Sequence, residues 1–136
     1  MRKIWKIILH CSATPEGKDV TIDDIRRWHT LPRNKGGNGW RDIGYHYVVH
    51  RDGSVHRGRD EAATGAHCAG HNSDSIGICY IGGLSTDGKP KDTRTPAQRA
   101  TLQKIVGELL QKYPEAKVYG HKDFNKYKAC PSFDKL

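Results

Sequence analysis

His10, His121 and Cys130 are the side chains of this sequence best placed to hold a soft metal ion. His121 closes a short extended run, Lys117-Val118-Tyr119, and Cys130 follows nine residues later in a loop with Lys126, Lys128 and Pro131 around it. The third donor must come from far away in the chain, and His10 stands at the end of the isoleucine-rich run that opens it. Two imidazoles and a thiolate leave a fourth position open on a tetrahedral Zn²⁺, which is the arrangement of a catalytic site rather than a structural one. Each residue also has an ordinary reading. An isolated histidine is more often hydrogen-bonded in a core or on a surface, and a free cysteine defaults to a small buried hydrophobe.

The remaining candidates are weaker on residue type alone. Tyr45 reads as a strand aromatic and Lys128 as a surface lysine; His67 sits in a loop, and Asn72 and Arg41 are suited to fixing loops by hydrogen bonds. His29 lies on a helix beside Trp28 and reads as structural, whereas His50 and His56 flank a turn and read as solvated. Cys79 falls in an apolar run, and Cys11 points away from its neighbour His10, so both read as core.

These residues need elements to position them. Lys3 to His10 reads as a mostly buried strand with His10 at its carboxyl end, where open α/β sheets place their sites. Thr21 as N-cap, Asp23 and Asp24 in the first turn, and Ile22, Ile25 and Trp28 at helical spacing predict a helix ending near Thr30. The glycines and proline between Leu31 and Gly39 predict a loop on the rim of a cleft. Tyr45 to His50 and Val55 to Arg57 predict a hairpin about Asp52-Gly53, with Tyr45, Tyr47 and Val49 on one face and His46, Val48 and His50 on the other. Ser75 to Ile81 predicts a central buried strand. Thr95 with Pro96 and Gln98 forms a capping box ahead of the stripe Leu102, Ile105, Val106, Leu109, Leu110 and Tyr113, a helix that Pro114 stops. Strands interleaved with helices indicate an α/β fold: a mixed central β-sheet flanked by helices.

At 136 residues the chain is long enough for one domain and too short for two, so a single domain spanning 1–136 is expected. No run approaches the ~18 apolar residues of a membrane span. Lys6 and His10 interrupt the apolar stretch where a signal peptide would need it, so the chain is expected to be made in the cytoplasm with no export address. The four cysteines form no close pair, which suits reduced thiols with at most one metal ligand. The formal charge of +8 draws the protein to anionic partners. Nucleic acid is a poor fit, because the basic residues are scattered and no nucleic-acid-binding motif is present.

The motifs His10-Cys11-Ser12-Ala13-Thr14, Gly44-Tyr45-His46-Tyr47, Arg51-Asp52-Gly53, Asn72 followed by Ser75-Ile76-Gly77-Ile78, Thr95-Pro96-Ala97-Gln98, Gly120-His121 and Lys128-Ala129-Cys130-Pro131-Ser132-Phe133-Asp134 fall in one order over nearly the whole chain. Together they closely resemble the type 2 N-acetylmuramoyl-L-alanine amidases, most strongly the phage lysozyme-like branch, which shares its fold with peptidoglycan-recognition proteins. The resemblance implies a zinc enzyme that cuts the amide between N-acetylmuramic acid and L-alanine in peptidoglycan. It implies one Zn²⁺ on His10, His121 and Cys130, with Tyr45 and Lys128 as catalytic residues and His67 and Asn72 near the substrate. The expected partner is peptidoglycan or its muropeptides, and the expected state is a monomer. Some relatives use a glutamate as general base; Glu61 follows the hairpin but matches no such motif. Two other functions on this fold are a non-catalytic peptidoglycan-binding module, which characteristically lacks the cysteine ligand, and an amidase that also regulates a phage RNA polymerase, for which no motif is present.

Overall fold

The computed structural model describes residues 2–136. A five-stranded sheet forms from β1 (Lys6–Cys11), β3 (Tyr47–Val49), β4 (Val55–Arg57), β5 (Ser75–Tyr80) and β7 (Lys117–Gly120), in the spatial order β4-β3-β5-β1-β7. β3, β5, β1 and β7 run parallel, and β4 is the antiparallel return of a hairpin. β5 is central and every one of its residues is buried, which is what a continuous apolar run with helices on both faces requires. A second, two-stranded ladder pairs β2 (Thr14–Pro15) with β6 (Gly83–Leu84). Strands of two residues carry no periodic signal, so this ladder has no counterpart in the sequence pattern.

Strand alternation divides the core into two layers. Ile7, Leu9, Cys11, Ile76, Ile78 and Tyr80 face α2 (Pro96–Lys112), whose Leu102, Ile105, Val106 and Leu109 cover that side. Val48, Cys79 and Ile81 face the other way, toward Ile22 and Ile25 of α1 (Ile22–Thr30). His10 pairs in register with Cys79, and Cys79 with Val48, so His10 lies on the α1 side of the sheet.

Both helices start as their caps dictate. The Thr95 hydroxyl accepts from the Gln98 amide at 3.0 Å while Thr95 N–H donates to Gln98 Oε1 at 2.9 Å. Gln98 is fully buried, and its Nε2 donates to the carbonyls of Ile81 (3.0 Å) and Val49 (3.3 Å). One side chain therefore caps the helix and ties it to the carboxyl ends of two strands. Thr21 and Asp24 form the same reciprocal box at α1. A further amide of that first turn, Ile22 N–H, donates to His50 Nε2 at 3.0 Å, and the His50 ring stacks on His56 at 3.8 Å. His50 is thus not a solvated turn residue: it supplies an acceptor that the helix start would otherwise lack.

Two further expectations are corrected. β1 begins at Lys6 rather than Lys3, because Trp5 and Lys6 both donate to the Asp74 carbonyl before regular pairing sets in. Tyr45 does not share the face of Tyr47 and Val49; it packs with Val48 and Cys79 on the α1 side. It precedes β3, in a segment where His46 N–H donates to the Gly77 carbonyl and His46 Nδ1 accepts from Gly77 N–H, so the pleat that enforces alternation has not begun. Glu61 belongs to the α2 side, where it accepts from Tyr113 Oη at 2.7 Å, Lys112 Nζ at 3.1 Å and the Tyr47 hydroxyl.

Replacing Gln98 with Ala leaves the buried Ile81 carbonyl and Thr95 N–H without partners and the Val49 carbonyl with only the Ile81 amide, a loss of about 2–3 kcal/mol in urea-induced unfolding. An exposed helix site such as Gln103→Ala should change stability by under about 0.5 kcal/mol.

Candidate active site

The parallel strands deliver two imidazoles side by side. Leu9 pairs with Gly120, so the next residues, His10 and His121, emerge together at the carboxyl ends of β1 and β7, with ring centroids 4.7 Å apart. After a short 3-10 turn at His121–Asp123 the chain loops back, and Lys122 N–H donates to the Cys130 carbonyl at 2.8 Å. The Cys130 sulfur then accepts from Cys11 N–H at 3.1 Å and lies 3.9 Å from His10 Nδ1. One donor atom from each of His10, His121 and Cys130 lies within 4.8 Å of the other two.

His10 is 1% exposed, and its other nitrogen, Nε2, is 2.8 Å from His67 Nδ1. His67 Nε2 in turn meets Ser75 Oγ at 3.1 Å. A Cβ at Gly77 would lie 2.6 Å from the His67 ring, so glycine is what lets the imidazole sit over β5. Asn72 Oδ1 accepts from His67 N–H and Cys68 N–H, both at 2.9 Å, and so fixes this loop. Arg2 holds the same loop from outside, donating to the carbonyls of Asn72, Ser73, Ser75 and Glu61.

His121 lines a cleft of about 390 Å³. Tyr45, His29, Trp40, His67, Asn72, Asn125 and Lys128 line it, and no carboxylate is among its lining residues. The Tyr45 ring lies 5.2 Å from His10 and 5.6 Å from His29. His29 packs at a tilt against Trp40, with ring centroids 4.9 Å apart, and its Nδ1 accepts from Gly44 N–H at 3.0 Å, a structural role as its helix position suggested. Lys128 also lines the cleft and is exposed. Arg41 is exposed and Glu61 lies across the sheet, so neither borders this cleft. The pairing of His67 with His10 has no pattern in the sequence beyond the small residues Gly65 and Gly77 that make room for the ring.

Burial keeps these imidazoles neutral. Burial, then His67 and His121, lowers His10 well below the ordinary imidazole range. Burial and Lys128 lower His121, and burial with His46 lowers His67 to about 3. Burial raises Tyr45 well above the usual phenol value, with the thiols Cys79, Cys130 and Cys11 adding to it, so Tyr45 keeps its proton. The hydrogen bond with Cys11, then burial, raises the Cys130 thiol. Neutral imidazoles are the form that binds metal, and a raised thiol makes loading release a proton.

His29, His46 and His50 are lowered too, with burial again the largest cause. All six imidazoles hold a proton less tightly folded than unfolded. Their stabilisation is complete above the unfolded value near 6.5 and is lost as pH falls toward the folded values, about 3 for His67. With chelator present, the unfolding midpoint should therefore drop between about pH 7 and about pH 5 with a slope of more than one proton; a flat profile would contradict the neutral, buried assignment.

The family model for N-acetylmuramoyl-L-alanine amidase matches residues 1–133. The endolysin of Enterobacteria phage K11 is 43% identical over 129 residues, covering 95% of this chain and 81% of that protein. The endolysin of Escherichia phage T7 is 44% identical over 128 residues, 94% of this chain and 80% of that one. Among solved structures, the Ph2119 endolysin from Thermus scotoductus MAT2119 bacteriophage Ph2119 superposes with a TM-score of 0.79 at 27% identity, covering 99% of this chain and 81% of that chain. Drosophila PGRP-LB superposes with a TM-score of 0.78 at 26% identity, over 96% and 76% of the two chains. With the matching model spanning nearly its full length, this chain belongs to the N-acetylmuramoyl-L-alanine amidase family, related to phage endolysins and to proteins of the peptidoglycan-recognition fold.

Proposed function

We propose that the protein hydrolyses the amide bond between the lactyl group of N-acetylmuramic acid and L-alanine in bacterial peptidoglycan, using one Zn²⁺ held by His10, His121 and Cys130. The observation that carries this reading is the convergence of those three donors, 4.8 Å or less apart, with His121 lining a cleft that Tyr45 and Lys128 also line. The donor set fits the ion. Ligands on a tetrahedral zinc with N at ~2.0 Å and S at ~2.3 Å stand roughly 3.3–3.7 Å from one another, so the donors need only a small contraction.

When bound, zinc supplies Lewis acidity toward the scissile carbonyl and a water acidic enough to attack near neutral pH. The chain supplies the rest. Tyr45, protonated and packed against His10, donates or passes a proton at its hydroxyl and orients the attacking water. Lys128 places positive charge where the carbonyl oxygen becomes an oxyanion, and its loss should cost on the order of a hundredfold in rate. Because no carboxylate lines the cleft, proton transfer falls to Tyr45 rather than to a glutamate. The net charge of +8 and the acid-free cleft favour anionic stem peptides and wall polymers. The likeness to phage endolysins supports a role in cell-wall lysis.

Digestion of purified peptidoglycan should release stem peptides with a new L-alanine amino terminus by mass spectrometry. The activity should be lost with chelator and restored by Zn²⁺. Binding of muropeptide by the zinc-loaded protein without cleavage would favour the recognition-module reading instead. Tyr45→Phe should lower kcat while zinc content, measured by atomic emission, stays at that of the parent; Lys128→Ala should lower kcat by about a hundredfold, also with zinc retained.

A further inference from the structure

We infer that His67 is a positioning residue for the metal centre: its imidazole fixes the proton of His10 on Nε2 and so turns His10 Nδ1 toward Cys130 and the shared metal position. This rests on the zinc site proposed above. His10 and His67 meet at 2.8 Å, so one of the two nitrogens must carry the hydrogen. His10 Nδ1 faces the Cys130 sulfur and must keep its lone pair to act as a donor there, which leaves Nε2 as the only place for the single proton of a neutral His10. His10 Nε2–H therefore donates to His67 Nδ1. The proton of His67 then belongs on its own Nε2, where Ser75 Oγ stands 3.1 Å away.

The rest of the surroundings hold His67 to this task. It is 9% exposed, and both ring nitrogens have partners inside the protein, which leaves neither free to bind a substrate. Asn72 fixes its backbone amide, the bare Cα of Gly77 admits its ring, and Arg2 clasps the carbonyls on either side of the loop. Ligating histidines commonly donate their second ring N–H to a carboxylate or a carbonyl, and loss of such a partner costs about ten- to a hundredfold in metal affinity. Here a second imidazole takes that place, which keeps the partner uncharged.

The test is zinc affinity, measured by competition with a chromophoric chelator, for the parent, His67→Ala, His67→Gln and Ser75→Ala, with circular dichroism as the check on folding. His67→Ala should bind zinc about ten- to a hundredfold more weakly. His67→Gln, which keeps an acceptor, should recover part of the loss, and KM should change less than kcat. In the zinc-loaded parent, ¹⁵N NMR of the histidine rings should find His10 and His67 both protonated on Nε2. A folded His67→Ala variant with parental zinc affinity and an unaltered Co²⁺ absorption spectrum overturns the inference. If that variant does not fold, the ring protons of the parent decide: His67 protonated on Nδ1 overturns it. A parent that binds no zinc at all removes the metal site itself and the inference with it, a result distinct from any difference among the variants.

Discussion

Everything at the site depends on the parallel pairing of β1 between β5 and β7. Buried on both faces, β1 has its register fixed by apolar side chains above and below, and a slip of one residue would exchange the two faces. That register sets His10 beside Cys79 on the α1 side and delivers His121 at the same level. The candidate donors are positioned by sheet geometry first and by their loops second.

The two faces of the sheet have separate duties. On the α2 side, aliphatic packing, the Gln98 tie and the Glu61 cluster with Tyr47, Tyr113 and Lys112 hold helix and sheet together. On the α1 side the core gives way to histidines, and these are satisfied by one another or by backbone amides: His10 by His67, His46 by Gly77, His29 by Gly44 and His50 by Ile22. A neutral imidazole can accept such a bond where a charged one cannot, so architecture and metal chemistry ask for the same protonation state. The histidine-rich face is consequently the more acid-sensitive of the two.

Much of this was legible before any coordinates. The start of α2 is written in Thr95, Pro96 and Gln98 because helix caps are local, and β5 is written in an uninterrupted apolar run because burial on both faces leaves no alternation. The grouping of His10 and His121 is legible from their positions at strand ends, and that of Cys130 from its polar loop and the motif likeness. What the pattern did not contain was long-range hydrogen bonding. His50 looked solvated because its partner lies 28 residues away, and the bond between His67 and His10 spans 57. Tyr45 departs from its expected face for a different reason: period-two alternation holds only inside a pleated strand, and β3 starts two residues later.

The donors that converge at the centre are separated by 120 residues at the extreme, from His10 to Cys130. Most of the chain must therefore have left the ribosome before a metal could be gripped by all three. Once gripped, the ion would staple the interior strand β1 to the edge strand β7 and the returning loop, closing the longest excursion of the polypeptide. A nascent or clipped polypeptide lacking the final loop would hold neither the thiolate nor Lys128, so competence arrives late in synthesis and all at once.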